Sequence, residues 1–151
     1  MIQCGFIYND LDSIRRISAR RLPLIEELRM AKSKGQIEAE ISEALIKFER
    51  EYMGRGPEET KTYIIDDMVL VRLRHVLTPA EQQLAKTGDN DKGRALIKQV
   101  RTELLEKARP LLEAMVTKIT GKKVQSLHTD ISTVTGNRII IFTLEGSSVV
   151  R

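Results

Sequence analysis

Between residues 91 and 120 apolar side chains recur every three or four positions, at Ile97, Val100, Leu104, Ala108, Leu111, Met115 and Ile119. That interval is the repeat of one helix face, and it is sustained for several turns. At 1.5 Å per residue such a helix is about 45 Å long, so it must lie across a sheet or along another helix to bury its stripe. The stripe is expected to pack on the chain's own sheet rather than in a coiled coil between chains. Gly121 ends the helix, and Lys122 and Lys123 suit the negative end of its dipole. Pro110 inside it removes one backbone hydrogen bond and predicts a bend.

The segments around it supply the sheet. Residues 34–53 carry Ile37, Ile41, Ala44, Leu45, Phe48 and Tyr52 on one helical stripe, closed by Gly54-Arg55-Gly56-Pro57. Residues 62–66 and 68–75 are rich in β-branched residues and meet at Asp66-Asp67, which predicts a hairpin. Thr78-Pro79-Ala80-Glu81 then places an N-cap threonine, a first-turn proline and a capping-box glutamate in order. A short helix follows to about Lys86, and the stretch Gly88 to Gly93 separates it from the long one. Residues 124–131 and 138–145, joined through Thr135-Gly136-Asn137, predict a second hairpin. The order is α-β-β-α-α-β-β, an α+β fold with an antiparallel four-stranded sheet. Val69-Leu70-Val71 and Ile139-Ile140-Ile141-Phe142 are apolar at successive positions, so both faces of the sheet are expected to be covered, the second by the first helix or by another subunit. A homodimer is the expectation.

A chain of 151 residues suits one domain. Residues 1–29, with Arg15, Arg16, Arg20 and Arg21 and only loose helical spacing, read as a weakly ordered basic extension; Met30 is an alternative initiator, and 30–151 is the domain. Basic residues outnumber acidic ones 25 to 21, and the signs interleave, which describes a mildly basic surface rather than a basic tail and allows nucleic acid or an acidic membrane surface without demanding either. The lone Cys4 allows no disulfide within the chain. With no apolar run of membrane-spanning length, a cytoplasmic protein that does not insert into membranes is expected. His75 and His128 stand apart from Cys4, so no zinc-ligand spacing exists, and neither a metal nor another cofactor is expected.

For binding chemistry, the Gly54-Arg55-Gly56 turn offers a guanidinium and permissive backbone NH groups. With His128 and Asp130 at one end of the sheet, it forms a candidate site for a small anion. No motif places a catalytic set, and phosphate-loop and dinucleotide patterns are absent. The helix and strand order also resembles the second type of KH domain, which grips nucleic-acid backbones through a Gly-x-x-Gly loop between paired helices. Here the matching loop, Gly88 to Gly93, reads as too long and carries Asp89 and Asp91.

Taken together, Lys34-Gly35-Gln36-Ile37, the Gly54-Arg55-Gly56-Pro57 turn, Leu77-Thr78-Pro79-Ala80-Glu81 and the closing hairpin over 130–142 resemble a bacterial family labelled after MpsC, a component of a sodium-translocating, membrane-potential-generating system. The resemblance covers about residues 30–144. It implies a non-enzymatic accessory or regulatory protein serving a membrane complex concerned with sodium translocation, membrane potential and inorganic carbon supply. Such a chain would act from the cytoplasmic face.

Overall fold

The computed structural model describes residues 31–86 and 90–146. The expected extension at 1–29 lies outside the described residues. Helix α1 (Lys34–Tyr52) opens on a capping box, in which Ser33 accepts from the Gln36 amide and the Gln36 side chain accepts from the Ser33 amide. Its C-terminus leads into Gly54, whose φ of +84° is the left-handed conformation that ends helices. Strands β1 (Glu59–Ile65) and β2 (Met68–Arg74) form the first hairpin across Asp66-Asp67, with Asp66 at φ +53°. Helix α2 (Pro79–Lys86) and helix α3 (Asn90–Thr120) follow, and strands β3 (Val124–Ile131) and β4 (Arg138–Leu144) form the second hairpin. All these elements belong to one compact unit that begins at Ser33.

The hairpins join through β2 and β4, giving one antiparallel sheet in the order β1-β2-β4-β3. Across the register, Thr62, Val71, Ile140 and Thr129 share one face and Lys61, Arg72, Ile139 and Asp130 the other. The first of these faces is the core side. Helix α1 packs beside β1, α3 beside β3, and the two helices touch each other. Val69, Val71, Leu73, Ile140 and Phe142 are sealed beneath them together with Ile41, Leu45, Leu105 and Leu112.

Two expectations change. Helix α1 covers the same face as α3, as its Ser42 hydroxyl on Thr62 and its Glu49 on Arg138 require. The opposite face therefore has no helix over it among the described residues, and Tyr63, Ile65 and Met68 are 41%, 48% and 37% exposed there. Leu70, Ile139 and Ile141 on the central strands are half-buried by their own neighbours.

The second change concerns the long helix. It is 31 residues long and runs on through Pro110, but its buried stripe is Ile97, Arg101, Leu105, Ala108, Leu112 and Val116. Val100, Leu104 and Leu111, expected in the core, are exposed. Apolar residues stand in adjacent pairs at 104–105, 111–112 and 115–116, so two stripes with the same spacing coexist one residue apart. Periodicity finds both and cannot choose between them. An arginine, Arg101, lies on the stripe that is buried.

Candidate functional site

The site grows from the connection between β2 and α2. His75 takes φ +53°, turning the chain off the sheet, and the Val76 amide donates to the Gly136 carbonyl at 2.8 Å. Gly136, at φ +70°, sits in the β3–β4 turn with His75 and Leu77 closing on it, so this turn is pinned against the β2–α2 connection. Thr78 then caps α2. The Glu81 amide donates to the Thr78 hydroxyl at 3.3 Å, while the Thr78 amide and hydroxyl both donate to Glu81 Oε2, at 2.8 and 2.9 Å. The capping box read from the sequence is present.

Glu81 has a second task. Arg101 Nε and Nη2 donate to its two oxygens, both at 2.7 Å, in the forked geometry that suits a guanidinium. Arg101 Nη2 also donates to the Val76 carbonyl at 2.8 Å, and Nη1 reaches Glu49 Oε2 at 3.4 Å. Glu49 Oε1 accepts from Arg138 Nη1 at 2.8 Å, and Arg138 Nη2 donates to the Arg101 carbonyl at 3.2 Å. Glu49, Arg101 and Arg138 are almost completely buried. Two guanidinium groups and two carboxylates cancel in charge, which is the condition under which such a cluster can sit in a core. Burial pushes the Glu81 carboxyl up, but the bonds from Arg101 and Thr78 outweigh that and hold it below 4.5. Burial also lowers Arg138, whereas in Arg101 the same effect is overcome by Glu81 and Glu49 and its pKa is raised. The sequence reading missed this network, because its members lie far apart in the chain and a charged residue on a helix normally faces water.

Around the connection lies a cleft of about 330 Å³, lined on its polar side by His75, Gln82, Lys86, Arg94, Thr133 and Thr135. Leu77, Ala85 and Val134 supply apolar wall. Gln82 Nε2 and Arg55 Nη1 both donate to the Leu77 carbonyl at 3.1 Å, so the cleft wall is braced from two sides.

The residues expected to form an anion site are distributed otherwise. Arg55 lies in the turn before β1, donating to the Leu77 carbonyl and to Glu58 at 3.2 Å, so much of its guanidinium is already engaged. Gly54 and Gly56 flank it, Gly56 under the Arg50 side chain. His128 and Asp130 lie on β3, the opposite edge strand, with β2 and β4 between. His128 Nε2 contacts the Ser126 hydroxyl at 3.0 Å. Asp130 accepts from the Ile131 amide and from Lys98 Nζ at 3.1 Å, and these two, in that order, hold its carboxyl below 3.8. The structure thus brings His128 and Asp130 onto one edge strand and leaves Arg55 at the other edge. None of the five lines the cleft.

Among the described residues no group of three His, Cys, Asp or Glu stands where it could hold a metal ion. Nor is any described helix long and apolar enough to cross a membrane. No solved structure is significantly similar to the chain. A curated relative, "Uncharacterized protein YbcI" of Bacillus subtilis (strain 168), is 46% identical over 77 residues, which is 51% of this chain and 60% of that protein. The chain therefore matches about 60% of that relative's length. The family model described as "Na+-translocating membrane potential-generating system (MpsC)" matches residues 33–146, a span holding every described helix and strand, and the chain belongs to that family.

Proposed function

We propose that this protein is a non-enzymatic accessory module, acting as a homodimer on the cytoplasmic side of a membrane complex that handles sodium, membrane potential or inorganic carbon supply. Membership of the MpsC family supports the setting. The observation that carries the mode of action is the sheet face left uncovered among the described residues, where Tyr63, Ile65, Met68, Leu70, Ile139 and Ile141 lie together beside Arg72. An antiparallel sheet can leave one face in water, but that face is then normally polar along its central strands. Here, with Arg72 as the one charged residue among them, the central strands β2 and β4 put Leu70, Ile139 and Ile141 on it, and in this reading the second subunit packs against them. The exposed stripe at Leu96, Val100, Leu104 and Leu111 of α3 stays available for the membrane complex.

The experiment is capture of the tagged native protein from detergent-solubilised membranes, paired with deletion of its gene. A membrane-embedded subunit should come with it, and the deletion should reduce sodium tolerance, membrane potential or inorganic carbon uptake. If all three are unchanged, the reading is wrong.

The KH-like alternative has one specific observation in its favour. Helix α3 starts at Asn90, so Asp91, Lys92 and Gly93 are helical and the connection between α2 and α3 is shorter than the sequence suggested. RNA binding that falls steeply with added salt would favour it over the accessory role.

A further inference from the structure

We propose that the cleft between α2, the start of α3 and the β3–β4 turn binds a small organic phosphate ester, its phosphate held by Lys86 and Arg94 and its body against Leu77, Ala85 and Val134. This inference is independent of the accessory role. It begins with charge. Lys86 and Arg94 both line the cleft, and neither has a hydrogen-bond or ion-pair partner among the described residues. Arg94 Nε is shut off from solvent and still lacks an acceptor, in contrast with Arg101, whose Nε is bonded to Glu81. A donor desolvated without a partner is destabilising, and a ligand oxygen at that point would remove the cost.

Among the described residues no carboxylate lines the cleft. Two acids beside it are committed elsewhere: Glu58 to Arg55 and His75, the latter at 2.7 Å, and Glu81 to Arg101. Two cations without a partner among the described residues match the charge of about −1.5 to −2 that a phosphomonoester carries at neutral pH. Thr133, Thr135 and Gln82 add donors for its remaining oxygens. A volume of about 330 Å³ is at the lower end of small-molecule sites, and it is more than an inorganic oxyanion would fill. The apolar wall then calls for an organic body.

The walls are also braced. The Thr78–Glu81 cap, the Arg101 fork and the bond from the Val76 amide to the Gly136 carbonyl fix the three segments that frame the opening. A ligand would therefore meet donors that are already positioned.

The test is calorimetric titration of the full chain at constant ionic strength with phenyl phosphate, inorganic phosphate and benzyl alcohol, with amide chemical shifts locating each. Phenyl phosphate should saturate, moving amides at 75–77, Ala85 and 133–136. Inorganic phosphate should bind at the same place about tenfold more weakly, and benzyl alcohol should not bind. Arg94→Gln and Lys86→Gln should each weaken phenyl phosphate about tenfold, about 1.4 kcal/mol, with the melting temperature of Lys86→Gln unchanged and that of Arg94→Gln unchanged or raised, because neither side chain bonds to another described residue and Arg94→Gln removes a desolvated donor. Lys47→Gln, an exposed control on α1, should bind normally. No saturation at millimolar probe, shifts elsewhere in the chain, or unchanged affinity in Arg94→Gln would overturn the site. Equal affinity for inorganic phosphate would overturn its organic specificity.

Discussion

Glu49 accepts hydrogen bonds from two arginines at a point reached by neither solvent nor any backbone donor described, and this makes it the residue on which the interior charge balance turns. Removing its charge leaves Arg101 and Arg138 sharing Glu81 alone, and Arg138 already has an unsatisfied Nε. Breaking a buried pair by deleting one partner costs about 3–5 kcal/mol, far more than the pair itself contributes over an apolar replacement. Glu49→Gln should therefore lower the free energy of urea unfolding by about that amount; a loss under about 1 kcal/mol would mean that the guanidinium groups find other partners. Glu81 adds a pH dependence whose sign follows from its lowered pKa. The unfolded carboxylate takes up a proton first as pH falls through 4.5, so the stabilisation from Arg101 is complete above that value and fades towards the lower folded value. In Glu81→Gln the gap from the unaltered protein should be widest near neutrality and close below pH 4.5, measured by unfolding at a series of pH values.

At the scale of elements, the contact between α2 and α3 depends on Gly93. A methyl group built there would overlap the Leu84 carbonyl oxygen, a backbone atom that cannot step aside without moving α2. Gly93→Ala would gain helix propensity, worth up to about 1 kcal/mol, but the overlap should outweigh it and give a net loss of about 1–3 kcal/mol by thermal or urea unfolding. Unchanged stability would show that the two helices part without cost. The sequence announced this helix pair through Thr78, Pro79 and Glu81 but gave the glycine as part of a loop, because a tight approach between helices is invisible until both are placed. The same limit applies to the long helix. Its extent was legible from spacing and its stop from Gly121, yet which of two interleaved stripes faces the sheet depended on Arg101 finding Glu81 and Glu49, partners 20 and 52 residues away. Both hairpins were legible because β-branched runs and turn residues are local signals. The candidate site was not, since the cleft is assembled from three separate connections, and the arginine that the sequence made conspicuous, Arg55, braces its wall through the Leu77 carbonyl.

At the scale of the whole molecule, the sheet has one face sealed by α1 and α3 and one face open among the described residues, and on the central strands the open face carries Leu70, Ile139 and Ile141 beside Arg72. Residue pairs Tyr63 with Leu70 and Leu70 with Ile141 run as one row across three strands, ending at His128 on β3. Two such faces stacked against each other would be related by a twofold axis and would bury Leu70 and Ile141 near the middle. Edge residues Lys61, Asp130 and His128 would stay at the rim, where charge is tolerated. Ile141→Glu tests this arrangement with little risk to the monomer, because Ile141 lies on the side of β4 away from the core residues Ile140 and Phe142. Sedimentation of the unaltered protein should give twice the chain mass and that of Ile141→Glu the chain mass alone, with the far-ultraviolet spectrum of the two alike. The matching change on the exposed stripe of α3, Leu104→Glu, should leave the dimer intact and remove only the capture of a membrane subunit. A monomer in the unaltered protein, or a dimer that survives Ile141→Glu and dissociates in Leu104→Glu, would move the subunit contact off the sheet and onto the helix.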